Sequence, residues 1–230
     1  MKKLYLLLSL GLLGLGIWGC SNASLEPSTL GYDYFPLEIG RYVIYDVTET
    51  TYTLTQDSST SNYQIKELIS DSFTSLDGSI SYYIQRYRRA SSTASWAIDS
   101  VWSARLDIDK AIRTENNLPY VKLFFPIRDG QSWNGNALNS YDADDYEMES
   151  VGKTLTFGSN NFSETLTVVQ QNDSSLVDLH RRNEIYAKNV GLIYREKTEY
   201  YYCNDADCLG TGQIDYGTRY VQKVSSYGKE

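Results

Sequence analysis

The chain has 230 residues, with 21 basic against 29 acidic side chains and a net charge of −8. This balance excludes the broad basic footprint that phosphate contacts demand, so nucleic acid is not expected as a partner. The only local basic clusters, Arg86–Arg89 and His180–Arg182, read as solvated strand or loop faces. Twenty-one tyrosines and only two methionines favour strands over helices.

At the N-terminus, Lys2 and Lys3 precede an uncharged apolar run from Leu4 to Trp18, as in the n- and h-regions of a secretory leader. The run falls short of the ~20 apolar residues of a comfortable membrane span, and the chain turns polar at Ser21 and Asn22. Ile17-Trp18-Gly19-Cys20 resembles the lipobox of bacterial lipoproteins, with a branched residue three before the cysteine and a small residue directly before it; Trp18 is bulkier than the residue usual there. That resemblance implies cleavage before Cys20, a diacylglyceryl thioether on its sulfur and attachment to a membrane through acyl chains such as palmitate, each buried methylene adding ~0.8 kcal/mol. The expected organisation is a signal peptide over 1–19, a lipidated tether over 20–31 rich in small polar residues, and a single β-rich domain over 32–230. Losing the leader removes two lysines and no acid, so the mature chain is more acidic still.

Downstream, period-two alternation carries the reading. Between Trp96 and Ile112 the even positions Trp96, Ile98, Ser100, Trp102, Ala104, Leu106 and Ile108 read as a buried face, against Asp99, Ser103, Arg105, Asp107 and Asp109 on the wet one. Similar runs cover 41–54, 63–69, 80–89, 120–125, 151–157, 162–170, 192–202 and 214–224. Asp77-Gly78, Asp129-Gly130, Asn134-Gly135 and Gly158-Ser159-Asn160-Asn161 supply turns between them. The fold class predicted is all-β: one antiparallel sheet of about nine strands, strongly curved or barrel-like, with at most one short helix, over 174–182, capped by Asp173 or Ser174.

Three blocks then stand out: Tyr34-Phe35-Pro36-Leu37-Glu38-Ile39-Gly40-Arg41-Tyr42-Val43-Ile44-Tyr45, the segment from Phe124 through Asp129-Gly130 to Asn136, and Tyr186-Ala187-Lys188-Asn189-Val190-Gly191-Leu192-Ile193-Tyr194. They resemble blocks of uncharacterised envelope lipoproteins of Bacteroidota, a resemblance that brings no catalytic residues with it. Physically, Pro36 cannot donate to a ladder and Gly40 can take positive φ, so the first block reads as a turn into a strand near Arg41. Trp133 is expected to cover the core beside the second, and the registers of Trp96 and Trp102 favour packing over ligand stacking.

With Cys20 acylated, Cys203 and Cys208 remain as an even pair, expected to form a disulfide at a hairpin tip. Its short loop implies less than the ~3 kcal/mol of a 15-residue one. Their spacing is not that of a redox motif, and two thiols with His180 leave a zinc site incomplete. His180, the single histidine, is expected on a solvent-facing loop. Asp142, Asp144 and Asp145 tempt a calcium assignment, but Glu147 stands where an EF-hand needs glycine and Lys153 where it needs glutamate, so a solvated loop is preferred.

No catalytic constellation and no cofactor is indicated. The expectation is a membrane-anchored envelope protein, in the outer membrane since Ser21 follows the cysteine and facing the periplasm since the tether has Glu26 as its only early acid and so does not resemble a surface-export signal; it binds a hydrophobic ligand or an envelope protein partner or serves as a scaffold. At the level of fold it is analogous to periplasmic lipoprotein carriers. The alternative is a hydrolase of glycan or peptide that uses carboxylates brought together by folding.

Overall fold

A computed structural model describes residues 30–55 and 57–230. The leader, Cys20 and nearly all of the expected tether lie outside the described residues. The alternating, turn-punctuated sequence forms β1 (Arg41–Tyr52), β2 (Ser58–Thr74), β3 (Ile80–Arg89), β4 (Ala97–Leu106), β5 (Lys110–Glu115), β6 (Leu118–Phe124), β7 (Ser132–Asn134), β8 (Asp145–Phe157), β9 (Asn160–Ser174), β10 (Asp178–Ala187), β11 (Gly191–Tyr202) and β12 (Ile214–Lys229). All pair in one sheet in the order β6-β5-β4-β3-β2-β1-β12-β11-β10-β9-β8-β7, so every neighbour except β1 and β12 is a sequential hairpin partner. The sheet is antiparallel throughout and nearly closes on itself as a barrel, and one 3-10 turn at Tyr32–Tyr34 precedes it.

Twelve strands replace the nine expected, for three local reasons. The run 96–112 is two strands joined by a tight turn at Asp107-Ile108-Asp109, where the Asp107 amide donates to the Lys110 carbonyl at 2.8 Å without a glycine or proline to announce it. β7 has three residues, too few to show alternation. The segment expected to be helical ends β9 and begins β10 instead: Ser175 Oγ accepts the amides of Val177 and Asp178 at 3.1 Å, using capping chemistry to close a hairpin.

The seam between β6 and β7 is spanned by side-chain and backbone bonds: the Val121 amide donates to the Gly135 carbonyl and the Trp133 indole Nε1 to the Val121 carbonyl, both at 2.9 Å, and Asn139 Nδ2 donates to the Pro119 carbonyl at 3.0 Å. Trp133 is buried and packs edge-on against Tyr146 with centroids 6.0 Å apart, so its expected core role holds. Gly135 is required here, since a Cβ would lie 2.3 Å from the Tyr146 ring.

At the opposite end of the chain order, the N-terminal segment caps one mouth of the barrel. Tyr34 and Phe35 are buried, the Leu30 carbonyl accepts the Ile127 amide at 3.1 Å, and the Asp33 carbonyl accepts the Asn189 amide at 2.7 Å. Gly40 then takes φ +88° and delivers the chain into β1, as the sequence implied. The alternation of the sheet puts the β2–β3, β4–β5, β8–β9 and β10–β11 connections at this same end; the β11–β12 loop with its cysteines lies at the other.

Gly135→Ala should force the Tyr146 ring or the seam to move, lowering stability by ~1–3 kcal/mol. Urea unfolding of the variant checks this, and an unchanged midpoint would mean that the seam does not depend on the close approach.

Candidate functional site

A lumen twelve strands round is wider than the eight-stranded case in which ordinary side chains just fill the interior. Much of this one is occupied by charge. Glu67 on β2, Arg86 on β3, Arg113 on β5, Lys122 on β6 and Glu184 on β10 are all buried, with Glu115 on β5 and Arg195 on β11 beside them. Arg195 Nη2 reaches Glu115 at 2.8 Å and Glu184 at 2.7 Å, although β5 and β11 lie far apart along the sheet, so the contact passes through the interior. Lys122 Nζ spans the same two carboxylates at 3.3 and 2.8 Å. Glu67 Oε1 accepts from Arg86 Nε at 3.1 Å and Arg113 Nη2 at 2.5 Å, and both guanidinium groups stack on Trp102, 3.8 and 4.8 Å from its ring centre.

Tyr186 donates its hydroxyl to Glu184 Oε2 at 2.6 Å, and Tyr45 donates to the Leu192 carbonyl at 3.0 Å. Burial pushes both phenols well above their usual value.

 Burial alone would raise the carboxyls as well. For Glu67 the guanidinium groups of Arg113 and Arg86 outweigh it, for Glu115 those of Arg195 with Lys122, and for Glu184 Lys122 with Arg195, so all three are held below the usual carboxylate value. Each therefore stays ionised at neutral pH and shared between cations, which fits a clasp between walls. It does not fit a general acid, whose carboxyl must be raised.

Between the N-terminal cap and this network lies a pocket of about 70 Å³, lined by Phe35, Leu37, Tyr45, Tyr186, Glu67 and Arg113 among others. That is well below the ~300–1,000 Å³ of ordinary ligand sites. An open groove of about 620 Å³ lies at the far end of the barrel, between Tyr63, Arg88, Arg89, Ala94, Ile98 and Asp99.

The network corrects the reading of the first basic cluster: Arg86 is buried, while Arg88 and Arg89 lie over the rings of Tyr63 and Trp96 at 3.7 and 4.2 Å. In the second cluster His180 stands on β10, not on a loop, with its ring edge-on to Tyr201 at 5.5 Å. Arg182 grips both oxygens of Asp144 at 3.0 and 2.8 Å. The calcium candidate therefore does not assemble, because Asp144 is committed to that pair and Asp142, Asp144 and Asp145 do not converge. Among the described residues the one converging trio of possible metal ligands is Cys203, Asp205 and Cys208. Its two sulfurs are joined as a disulfide with Cα atoms 5.8 Å apart, closing the β11–β12 loop and leaving no thiolate to ligate.

Sequence reasoning missed the network. A signal was present: Glu67 shares its parity with Ile65 and Ile69, Arg86 with Ile84, and Arg113 with Ala111, each a charge in the buried register of an apolar strand. Compared with protein-family models, curated proteins and solved structures, the chain matches none.

Glu184→Gln leaves Lys122 and Arg195 with Glu115 as their remaining buried acid and should cost ~3–5 kcal/mol at neutral pH. Since these carboxyls titrate below their ordinary value of 4.5 in the folded chain, their contribution is complete above pH 4.5 and is lost as pH falls through the folded values. The deficit of the variant should accordingly shrink on acidification, which urea titrations at neutral and acid pH measure; a pH-independent deficit would count against the ionised clasp.

Proposed function

We propose that this chain is a lipid-anchored protein of the bacterial envelope, held through acyl chains on Cys20, in the outer membrane facing the periplasm, and that it acts by binding. Ile17-Trp18-Gly19-Cys20 after a charged and then apolar leader supports the anchor. Between the two kinds of binding expected, an envelope protein partner is favoured over a hydrophobic ligand. The observation that carries this preference is the filled lumen, whose inner pocket of about 70 Å³ is smaller than ligand sites of ~300 Å³ and more. The large open groove belongs to the end away from the N-terminal segment and has Arg88, Arg89 and Asp99 in its walls, chemistry that suits a polar protein surface better than an acyl chain.

The hydrolase alternative has less support, because Glu67, Glu115 and Glu184 of the lumen are each tied to cations and held ionised.

For the anchor, Cys20→Ser should yield an unprocessed or soluble product, whereas the wild-type mature peptide should begin at an acylated Cys20 by mass spectrometry. A variant that stays with membranes after carbonate washing at normal mature size would overturn it. For the binding reading, purification of the lipidated chain from native membranes should bring an envelope protein with it; recovery of the chain alone, or with a bound lipid, would count against the partner.

A further inference from the structure

We propose that the capped end of the barrel rests on the bilayer, with Leu76 and Ile108 entering its interfacial region; this rests on the anchor proposed above. The path of the chain gives the first reason. The N-terminal segment enters the fold beside the β4–β5 turn, where the Tyr32 hydroxyl donates to the Ile108 carbonyl at 2.6 Å. Cys20 lies ten residues before Leu30, so at full extension ~36 Å of chain separates the acylated residue from that end. Of all the surfaces of the barrel, this is the one that the anchor keeps next to lipid.

The second reason is what that end displays. Ile108 at the tip of the β4–β5 turn is 88 % exposed and Leu76 in the β2–β3 hairpin is fully exposed, with Ile80 and Ile39 at the same end exposed by about half. The two tips belong to neighbouring hairpins, since β3 pairs with β4. The nearby cations are matched, Arg105 with Asp107 at 3.1 Å, Lys110 with Asp109 at 2.6 Å, and Arg41 and Lys229 with Glu38, while Asp77, beside Leu76, accepts from the Ser79 amide and hydroxyl and has no cation of its own among the described residues. With the cations of these two hairpins paired, a rim of aliphatic tips is suited to apolar insertion, not to attraction by anionic headgroups, so its contact with neutral lipid is insensitive to salt.

The full lipidated protein tests this in vesicles of neutral phosphatidylcholine. With Cys20 acylated and Cys203 bonded to Cys208, Leu76→Cys or Ile108→Cys supplies the free thiol for an environment-sensitive fluorophore; Leu54→Cys and Leu176→Cys, exposed at the far end, serve as controls. Nitroxide-bearing lipids should quench positions 76 and 108 several-fold more than positions 54 and 176, equally at low and high salt. Equal quenching at both ends would overturn the inference. So would probes at 76 and 108 that are shielded from an aqueous quencher yet untouched by the lipid nitroxide, since a protein would then cover the tips. Mass spectrometry of the same sample separates the two claims: an acylated Cys20 with equal quenching removes this inference alone, and an unacylated one removes the anchor and the inference with it.

Discussion

The ion network across the lumen is the constraint around which the barrel is arranged. A sheet this wide leaves more interior than aliphatic side chains alone would fill, and glutamate, arginine, lysine and tyrosine have the reach to meet in the middle. Bringing the charges out of water costs several kcal/mol per ion, and their mutual attraction with added hydrogen bonds offsets it only where geometry is close. Its strongest effect is therefore on specificity. A slip of one residue in β10 would turn Glu184 outward and leave Lys122 and Arg195 facing each other with one carboxylate fewer, so the registers of β5, β6, β10 and β11 are fixed together.

The remaining weak points of such a barrel are its seam and its mouth, and each is closed by groups that cannot be exchanged freely. At the seam, a three-residue strand is supplemented by the Trp133 indole and by the bare backbone of Gly135 under the Tyr146 ring. At the mouth, Tyr34 and Phe35 enter the core while their backbone neighbours bond to the loops around them. The molecule is thereby polar along its axis: the N-terminal segment and its aliphatic tips mark one end, the disulfide loop and the open groove the other. In the proposed function that polarity separates the side that meets lipid from the side that meets a partner.

How far the sequence could be read depended on whether alternation survived locally. β3 is recovered at its full length, with Ile84 and Arg86 buried in one register and only Ser81, near its start, buried out of phase with them. In β4, Trp102 and Ala104 are buried as expected, but Ile98 is 61 % exposed, because a bulge at Asp99 shifts the pairing and turns the residues before it to the other face. β10 was unreadable as a strand because its inward positions include Glu184, so the hydrophobic pattern that announces a half-buried strand is inverted there. The disulfide was legible from cysteine parity alone, whereas the fate of Asp144 was not, since its partner Arg182 is distant in sequence.

By itself, then, the sequence determined an antiparallel all-β chain, the turn at Gly40, the core role of Trp133 and the pairing of Cys203 with Cys208, because each follows from local periodicity, backbone freedom or simple counting. Closure of the sheet and the meetings of Arg195 with Glu115 and of Lys122 with Glu184 were decided by tertiary structure. Those contacts join residues separated by many strands, and no local pattern records which charges will face one another once the sheet curls.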